Sequence, residues 1–287
     1  MTRLVVHLAG HEVELNKNVI SIGTTFNYDI PLKEQLLLIK RVGFSHISLG
    51  ARLEHSGYLT MSGRRNVKKM ITDHGMTICS IHTPFGENID ISSPDPRTMN
   101  KTMDCYKKCL DAAQYLGARV VIFHPTAYRQ FDQLDRRKKT IVENVNGLLD
   151  YTRKRGMWLA IENEPLSAAN DILGYSLDMI DDARYGLCYD TSHDNLVTSR
   201  LRIFKKYGNR LLTTHLSDNQ GEQDDHMLPG EGSYPWREFC KLFLKIRFTG
   251  VLLLEVEMRE SAFESPSEFL QEAFTRGQRL LNACTRT

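Results

Sequence analysis

Six short apolar runs in this chain close on an imidazole or a carboxylate: His82, His124, Glu162, Asp190, His215 and Glu255. The segment "MWLAIENEP" is the plainest case, an apolar run that stops on two carboxylates, Glu162 and Glu164. An ionised carboxylate at the end of a buried strand is costly unless a positive charge compensates it. Neutral imidazole nitrogens and carboxylate oxygens are the groups that proteins offer to divalent metals. Each residue also has a plain reading: a hydrogen-bonded strand-end histidine, Asp190 as a helix cap, Glu255 as the start of an exposed loop. Six such coincidences on six successive runs, with no Lys or Ser in those slots, are better explained by one shared cation site. Three more residues extend it. "DTSHDN" places His193 one helical turn past Asp190, and "DNQGEQDDHMLPGEG" carries Asp224 and His226 in a Gly-rich loop whose plain reading is a turn. Glu257 alternates with Glu255 and is expected to point to the other side of its strand as a structural residue. His46, His55, His74, Cys105 and Cys109 lack matching partners and read as core or surface.

The elements that must carry these residues follow one rhythm. After "LVVHLAGHEVEL", a hairpin or a strand outside the main fold, come "VISIGTTF", "HISLG", "MTICSIHTP", "RVVIFHP", "MWLAIENEP", "YGLCYD", "RLLTTHLSD" and "GVLLLEVEM". Between and after these eight runs lie stretches of helical period at about 32–42, 62–74, 95–117, 133–155, 168–182, 194–207, 234–247 and 265–283. Gly75, Gly117 and Gly156 suit left-handed helix ends. Eight strand-then-helix units predict an α/β chain with a single (β/α)8 barrel over residues 1–287, residues 1–17 forming a short N-terminal extension. A doubly wound open sheet is the rival, weakened by the missing GxGxxG after the first strand. In such a barrel the carboxyl ends of the strands build the active site, so the closing residues share one rim.

With 287 residues and 41% apolar side chains the chain can bury a full core. A net charge of +2 gives no support for a polyanionic partner. No stretch reaches the length of a membrane span. Six scattered cysteines, Cys79, Cys105, Cys109, Cys188, Cys240 and Cys284, with no CxxC pair and no secretory leader, are expected to be reduced thiols in a cytoplasmic protein.

In order, "IHTPFGENIDISSPD", "LGARVVIFHP", "AIENEP", "LCYDTSHD", "HLSDNQ…HMLPGEGSYPW" and "GVLLLEVE" resemble the motifs of the xylose isomerase-like barrel superfamily. That group holds sugar and sugar-phosphate isomerases and epimerases together with the endonuclease IV type of repair enzyme. In the isomerase branch the resemblance implies one divalent metal on Glu162, Asp190, His215 and Glu255, with Mn2+ or Mg2+ suited to the mostly oxygen set. In the endonuclease branch it implies up to three Zn2+, adding His82, His124, His193, Asp224 and His226, all of which are present. The first strand lacks the "GAHVS" form of the endonucleases, and "HMLPGEGSYPW" resembles the sugar-enzyme loop. The expectation is therefore a metal-dependent isomerase or epimerase of a sugar or sugar phosphate, with Glu162 and Glu255 moving a proton through an enediolate. His193 would donate to a substrate oxygen, and His82 and His124 would line the site. The alternatives are a zinc phosphodiesterase at abasic DNA, a lyase on a sugar-derived acid, and a binding module without catalysis. The expected partner is a small sugar, with nucleic acid only under the endonuclease alternative and a homo-oligomer left open.

Overall fold

A computed structural model describes residues 7–8, 11–12, 19–127, 133–259 and 261–285. Eight parallel strands, β1 (Val19–Gly23), β2 (His46–Leu49), β3 (Thr77–His82), β4 (Val120–Phe123), β5 (Trp158–Glu162), β6 (Tyr185–Asp190), β7 (Leu211–His215) and β8 (Val251–Leu254), are hydrogen-bonded in the order β8-β1-β2-β3-β4-β5-β6-β7. Helices α1 (Leu32–Val42), α2 (Met61–His74), α3 (Pro96–Leu116), α4 (Leu134–Arg153), α5 (Ser167–Met179), α6 (Arg202–Tyr207), α7 (Trp236–Ile246) and α8 (Pro266–Thr285) follow the strands in turn. The expected (β/α)8 barrel is the fold found. The extension contributes a separate antiparallel pair, His7–Leu8 with His11–Glu12, and the rest of residues 1–18 lies outside the described residues.

The ring closes at one narrow seam. Between β7 and β8 there is a single parallel bridge, Leu216 to Leu254. Leu216 N–H donates to Leu253 O at 2.8 Å and Glu255 N–H donates to Leu216 O at 3.2 Å. Lower down, Leu253 N–H turns to the Thr214 hydroxyl at 3.1 Å. His215 and Glu255 flank that bridge directly, so closing the barrel sets these two side chains together.

Strand alternation sorts the apolar residues into two layers. Ile22, Ile47, Val121, Leu159, Ile161, Leu187 and Leu254 face the helices in the main core. Ile122, Ala160, Cys188 and Leu253 form a small buried cluster of their own. Each of these four precedes a candidate ligand by two residues, namely His124, Glu162, Asp190 and Glu255. The period of the strand therefore lays an apolar floor one pleat beneath the polar rim.

Most helix boundaries match the sequence pattern, and Gly43, Gly75 and Gly117 cap α1, α2 and α3 with positive φ. Gly156 also has positive φ (65°) but stands two residues past the cap of α4, Lys154. The expected helix 194–207 is corrected: it is a single turn, Thr191–Asn195, then a break, then α6. The break is held by the Asp194 carboxylate, which accepts from Leu201 N–H at 2.7 Å. The expectation of six free thiols is also corrected. Cys240 on α7 and Cys284 on α8 form a disulfide with Cα atoms 4.5 Å apart, and the other four cysteines are free. The two helices pack side by side although 44 residues separate the pair in sequence. That pairing removes one premise of the cytoplasmic expectation. No helix among the described residues is long and apolar enough to cross a membrane.

A buried ion pair shapes the loops above β3 and β4. Arg137 on α4 reaches Asp90 Oδ2 at 2.9 Å, and the Thr126 hydroxyl donates to the same oxygen at 3.1 Å. Asp90 Oδ1 accepts from Ser92 N–H and Oγ–H, both at 2.9 Å. Removing one partner of such a pair strands the other charge in the interior. Asp90→Ala is expected to destabilise the fold by about 3–5 kcal/mol, read as a lower denaturant midpoint with an unchanged slope. A loss below about 1 kcal/mol would show the pair to be solvated in solution.

Candidate active site

The strand ends converge as the sequence pattern requires. Glu162 closes β5 fully buried, and His215 Nδ1 stands 2.8 Å from Glu162 Oε1 and 2.8 Å from Glu255 Oε2. Asp190 Oδ2 lies 3.8 Å from the same nitrogen. Ligand atoms from Glu162, Asp190, His215 and Glu255 all fall within 4.8 Å of one another. Three further groups among the described residues meet the same criterion: His82, His124 and Glu162; Glu162, Cys188 and His215; and His193, Asp224 and His226. All nine residues singled out in the sequence thus gather at one mouth of the barrel, in three clusters that share Glu162 and a fourth, His193, Asp224 and His226, beside them.

The local sequence explains each placement. His82 Nδ1 bonds to Thr83 O at 2.7 Å, which turns Nε2 toward Glu162 Oε2 at 3.1 Å. His124 sits between Glu164 (2.9 Å) and Glu162 (3.5 Å), so the second carboxylate of "ENE" orients this histidine. Asn163, between the two glutamates, exchanges a pair of hydrogen bonds with the Asp190 backbone (2.9 and 2.8 Å). Its backbone carbonyl takes His193 Nδ1 at 2.8 Å, so one asparagine ties β5, β6 and His193 together. Asp190 Oδ1 caps the following turn through His193 N–H at 2.7 Å. The capping role and the site role therefore coexist.

The Gly-rich loop is built around Asp218, whose carboxylate accepts from Gly230 N–H (2.9 Å), Tyr234 N–H (3.1 Å) and Trp236 Nε1 (2.7 Å). At Gly232 a Cβ would collide with Asn219 O and Asp218 Oδ1, so only glycine fits. The loop hands Asp224 Oδ2 to His193 Nε2 (3.0 Å) and His226 Nε2 (3.2 Å). His226 adopts φ 48°, a backbone state that costs a non-glycine residue about 1–3 kcal/mol. Hydrogen bonds between Asp218 and Met227 (2.9 and 2.8 Å) and from His226 Nδ1 to Glu255 O (3.0 Å) hold it there.

The electrostatics point to a cation. Burial opposes ionisation of Glu162, yet His215, His124 and His82 around it hold the carboxyl well below its usual range. Burial likewise opposes protonation of His124 and His226, but Glu164 and Glu162 raise the first to about 10 and Asp224 raises the second to about 10. At Asp190 the histidines do not prevail. Burial, with Glu162 adding to it, outweighs the nearby His193 and pushes its carboxyl up to about 7, and its Oδ2 is buried without a hydrogen bond. A single hydrogen on His215 Nδ1 cannot satisfy the two carboxylate oxygens it faces at 2.8 Å. A divalent cation among these four residues would meet the orphaned oxygen and the crowded carboxylates together, so the donor set fits one.

A cavity of about 570 Å3 opens over this mouth. Besides the clustered residues its wall includes Tyr28, Arg52, Phe85 and Leu166, none of which carried a sequence signal beyond standing in loops after strands. Phe85 lies against His124 with ring centroids 4.2 Å apart and is half exposed. Glu257 is corrected: it lines the cavity with Glu255. Strand β8 ends at Leu254, and Glu257 N–H bonds to His226 O at 2.9 Å, so alternation no longer governs where it points.

This fold and rim define a class, and the chain belongs to the xylose isomerase-like TIM barrel family, matched over residues 36–273. Among curated relatives it is 22% identical to fructoselysine 3-epimerase of Escherichia coli O157:H7, over 88% of this chain and 94% of that one. It is 26% identical to a probable endonuclease 4 of Phocaeicola vulgatus over 46% of this chain and 52% of that one. Among solved structures, the IOLI protein with a binding zinc atom superposes with a TM-score of 0.79 at 17% identity, covering 94% of this chain and 100% of that one. A D-tagatose 3-epimerase-like protein gives 0.76 at 18% identity, covering 92% and 98%. An enzyme of the sugar isomerase and epimerase class is what these likenesses support.

Proposed function

We propose that this protein is a divalent-metal-dependent epimerase or isomerase of a ketose or ketose derivative. The observation that carries the reading is the meeting of Glu162, Asp190, His215 and Glu255 within 4.8 Å around a buried, unpaired Asp190 oxygen. These four would hold the metal, with Mn2+ or Mg2+ suited to three carboxylates and one imidazole. When bound, the cation supplies polarisation of the substrate carbonyl and stabilisation of the charge that develops on it.

The proton chemistry falls to the chain's own carboxylates. Glu162 comes from β5 and Glu255 from the end of β8, on separate sides of the ring. One removes the proton from the carbon next to the carbonyl, and the other returns a proton to the opposite face of the planar enediolate. His193 donates to a substrate oxygen, and His82, buried beneath Phe85, helps exclude water. The fructoselysine and D-tagatose epimerase likenesses support this direction.

The second reading, a zinc phosphodiesterase acting on abasic DNA, is favoured by one observation: the clusters of His82, His124 and Glu162 and of His193, Asp224 and His226 beside the four-residue cluster. Incubating the Mn2+-loaded protein with D-fructose or D-tagatose in D2O separates the two. Deuterium is expected at C3 by NMR, with no nicking of an abasic duplex. Nicking with about three zinc ions per chain, and no deuterium uptake, would establish the phosphodiesterase instead.

A further inference from the structure

The loops after β1 and β2 contribute two residues to the cavity wall that the reaction above does not use, Tyr28 and Arg52. Tyr28 is locked in place. Its hydroxyl occupies the space a Cβ would take at Gly50. The His55 ring meets it edge-on at 5.2 Å, and His55 is itself held by Ile30 O at 2.9 Å. Arg52 lays its guanidinium over the Tyr28 ring, 4.4 Å from the centroid.

The charges around this pair are lopsided. Glu162, Glu164, Asp224, Glu255 and Glu257 all line the cavity, and Arg52 is the one Lys or Arg among its described lining residues. Even so, no described carboxylate forms an ion pair with Arg52; its recorded partner is the tyrosine face. A guanidinium stacked on a ring keeps its N–H edge free, in the flat fork that matches a phosphate or a carboxylate. The cavity of about 570 Å3 also leaves room beyond the sugar carbons that the four-residue cluster would engage.

We propose that Arg52, seated on Tyr28, binds a terminal anionic group of the substrate, so that the preferred ketose is a sugar phosphate or a sugar acid rather than a neutral sugar. This rests on the reading of the cavity as a ketose site and narrows it. The lining carboxylates at the rim face His124, His193, His226 and the proposed metal, whereas toward the loops after β1 and β2 the one Lys or Arg among the described lining residues is Arg52, so an anion at that end of the substrate has Arg52 to receive it. Arg52 does so without having to leave an internal partner.

The test is calorimetric titration of the full-length Mn2+-loaded protein with D-fructose, D-fructose 6-phosphate and D-fructuronate, for wild type, Arg52→Gln and Arg52→Lys. In wild type an anionic probe is expected to bind about tenfold or more tighter than D-fructose. That ratio should collapse to about one in Arg52→Gln and be partly kept in Arg52→Lys, which retains charge but not the fork. Preference for the phosphate or for the fructuronate names which anion is used, and either supports the assignment. Equal affinities in wild type, no binding of any probe, or a ratio that survives in Arg52→Gln overturns it. Deuterium uptake is read in parallel: uptake without anion preference removes the Arg52 assignment alone, whereas an Arg52-dependent preference without uptake removes the epimerase reading alone.

Discussion

Replacing Glu162 by glutamine is expected to abolish solvent exchange of the carbon-bound proton of the one epimer whose face Glu162 serves, a loss of at least ~10³-fold set by the removal of a positioned base. Glutamine keeps the shape and one carbonyl oxygen while removing the basic oxygen that faces His215 at 2.8 Å. Far-ultraviolet dichroism should be unchanged, because the Glu162 side chain supports rim contacts and not the helix-facing core. Glu255→Gln should be as damaging for epimerisation, but each variant should spare a different half-reaction. If the two carboxylates serve opposite faces, one epimer still loses its proton in one variant and the other epimer in the other. The measurement is NMR of both epimers in D2O with each variant. Exchange retained at wild-type rate for both epimers in Glu162→Gln would end the proposed chemistry, since Glu162 is the carboxylate common to three of the four clusters.

Stripping and restoring a divalent ion should shift the stability of the whole chain. Without a cation, three carboxylates surround one imidazole, and Asp190 Oδ2 stays buried and unpaired. A ligand that binds only the folded state at a thousand times its dissociation constant adds about 4.1 kcal/mol, which at this chain length raises the melting temperature on the order of 10 °C. Thermal melts of chelator-treated protein titrated with Mn2+, Mg2+ and Zn2+ would show it, and Asp190→Asn should blunt the rise. Melting curves indifferent to all three ions would mean the rim holds no metal. Elemental analysis at saturation then separates one ion from three.

Much of this site was legible because it is made by strand periodicity. A residue that closes an apolar run in a (β/α)8 chain has one place to go, so His82, Glu162, Asp190 and His215 could be placed from sequence. His124 and Glu255, one residue past their strands, still follow the pleat. Glu257 does not, because three residues beyond a strand the backbone answers to His226 O rather than to a ladder. Asn163 was hidden for a different reason: an amide between two glutamates has no chemistry of its own to advertise, and its role depends on where Asp190 stands. Tyr28 and Arg52 lie in loops whose paths are set by Gly50 and His55, which no periodicity encodes. Cys240 and Cys284 meet only because α7 and α8 are neighbours around the ring. The break at Leu201 depends on one carboxylate, Asp194, reaching seven residues along the chain.

The plug of Ile122, Ala160, Cys188 and Leu253 under the rim makes the cylinder a dead end. Whatever enters from the open side must turn round and leave by the same doorway, past Phe85 and Arg52. If product release limits turnover, a weaker grip at that doorway speeds the cycle while loosening selection.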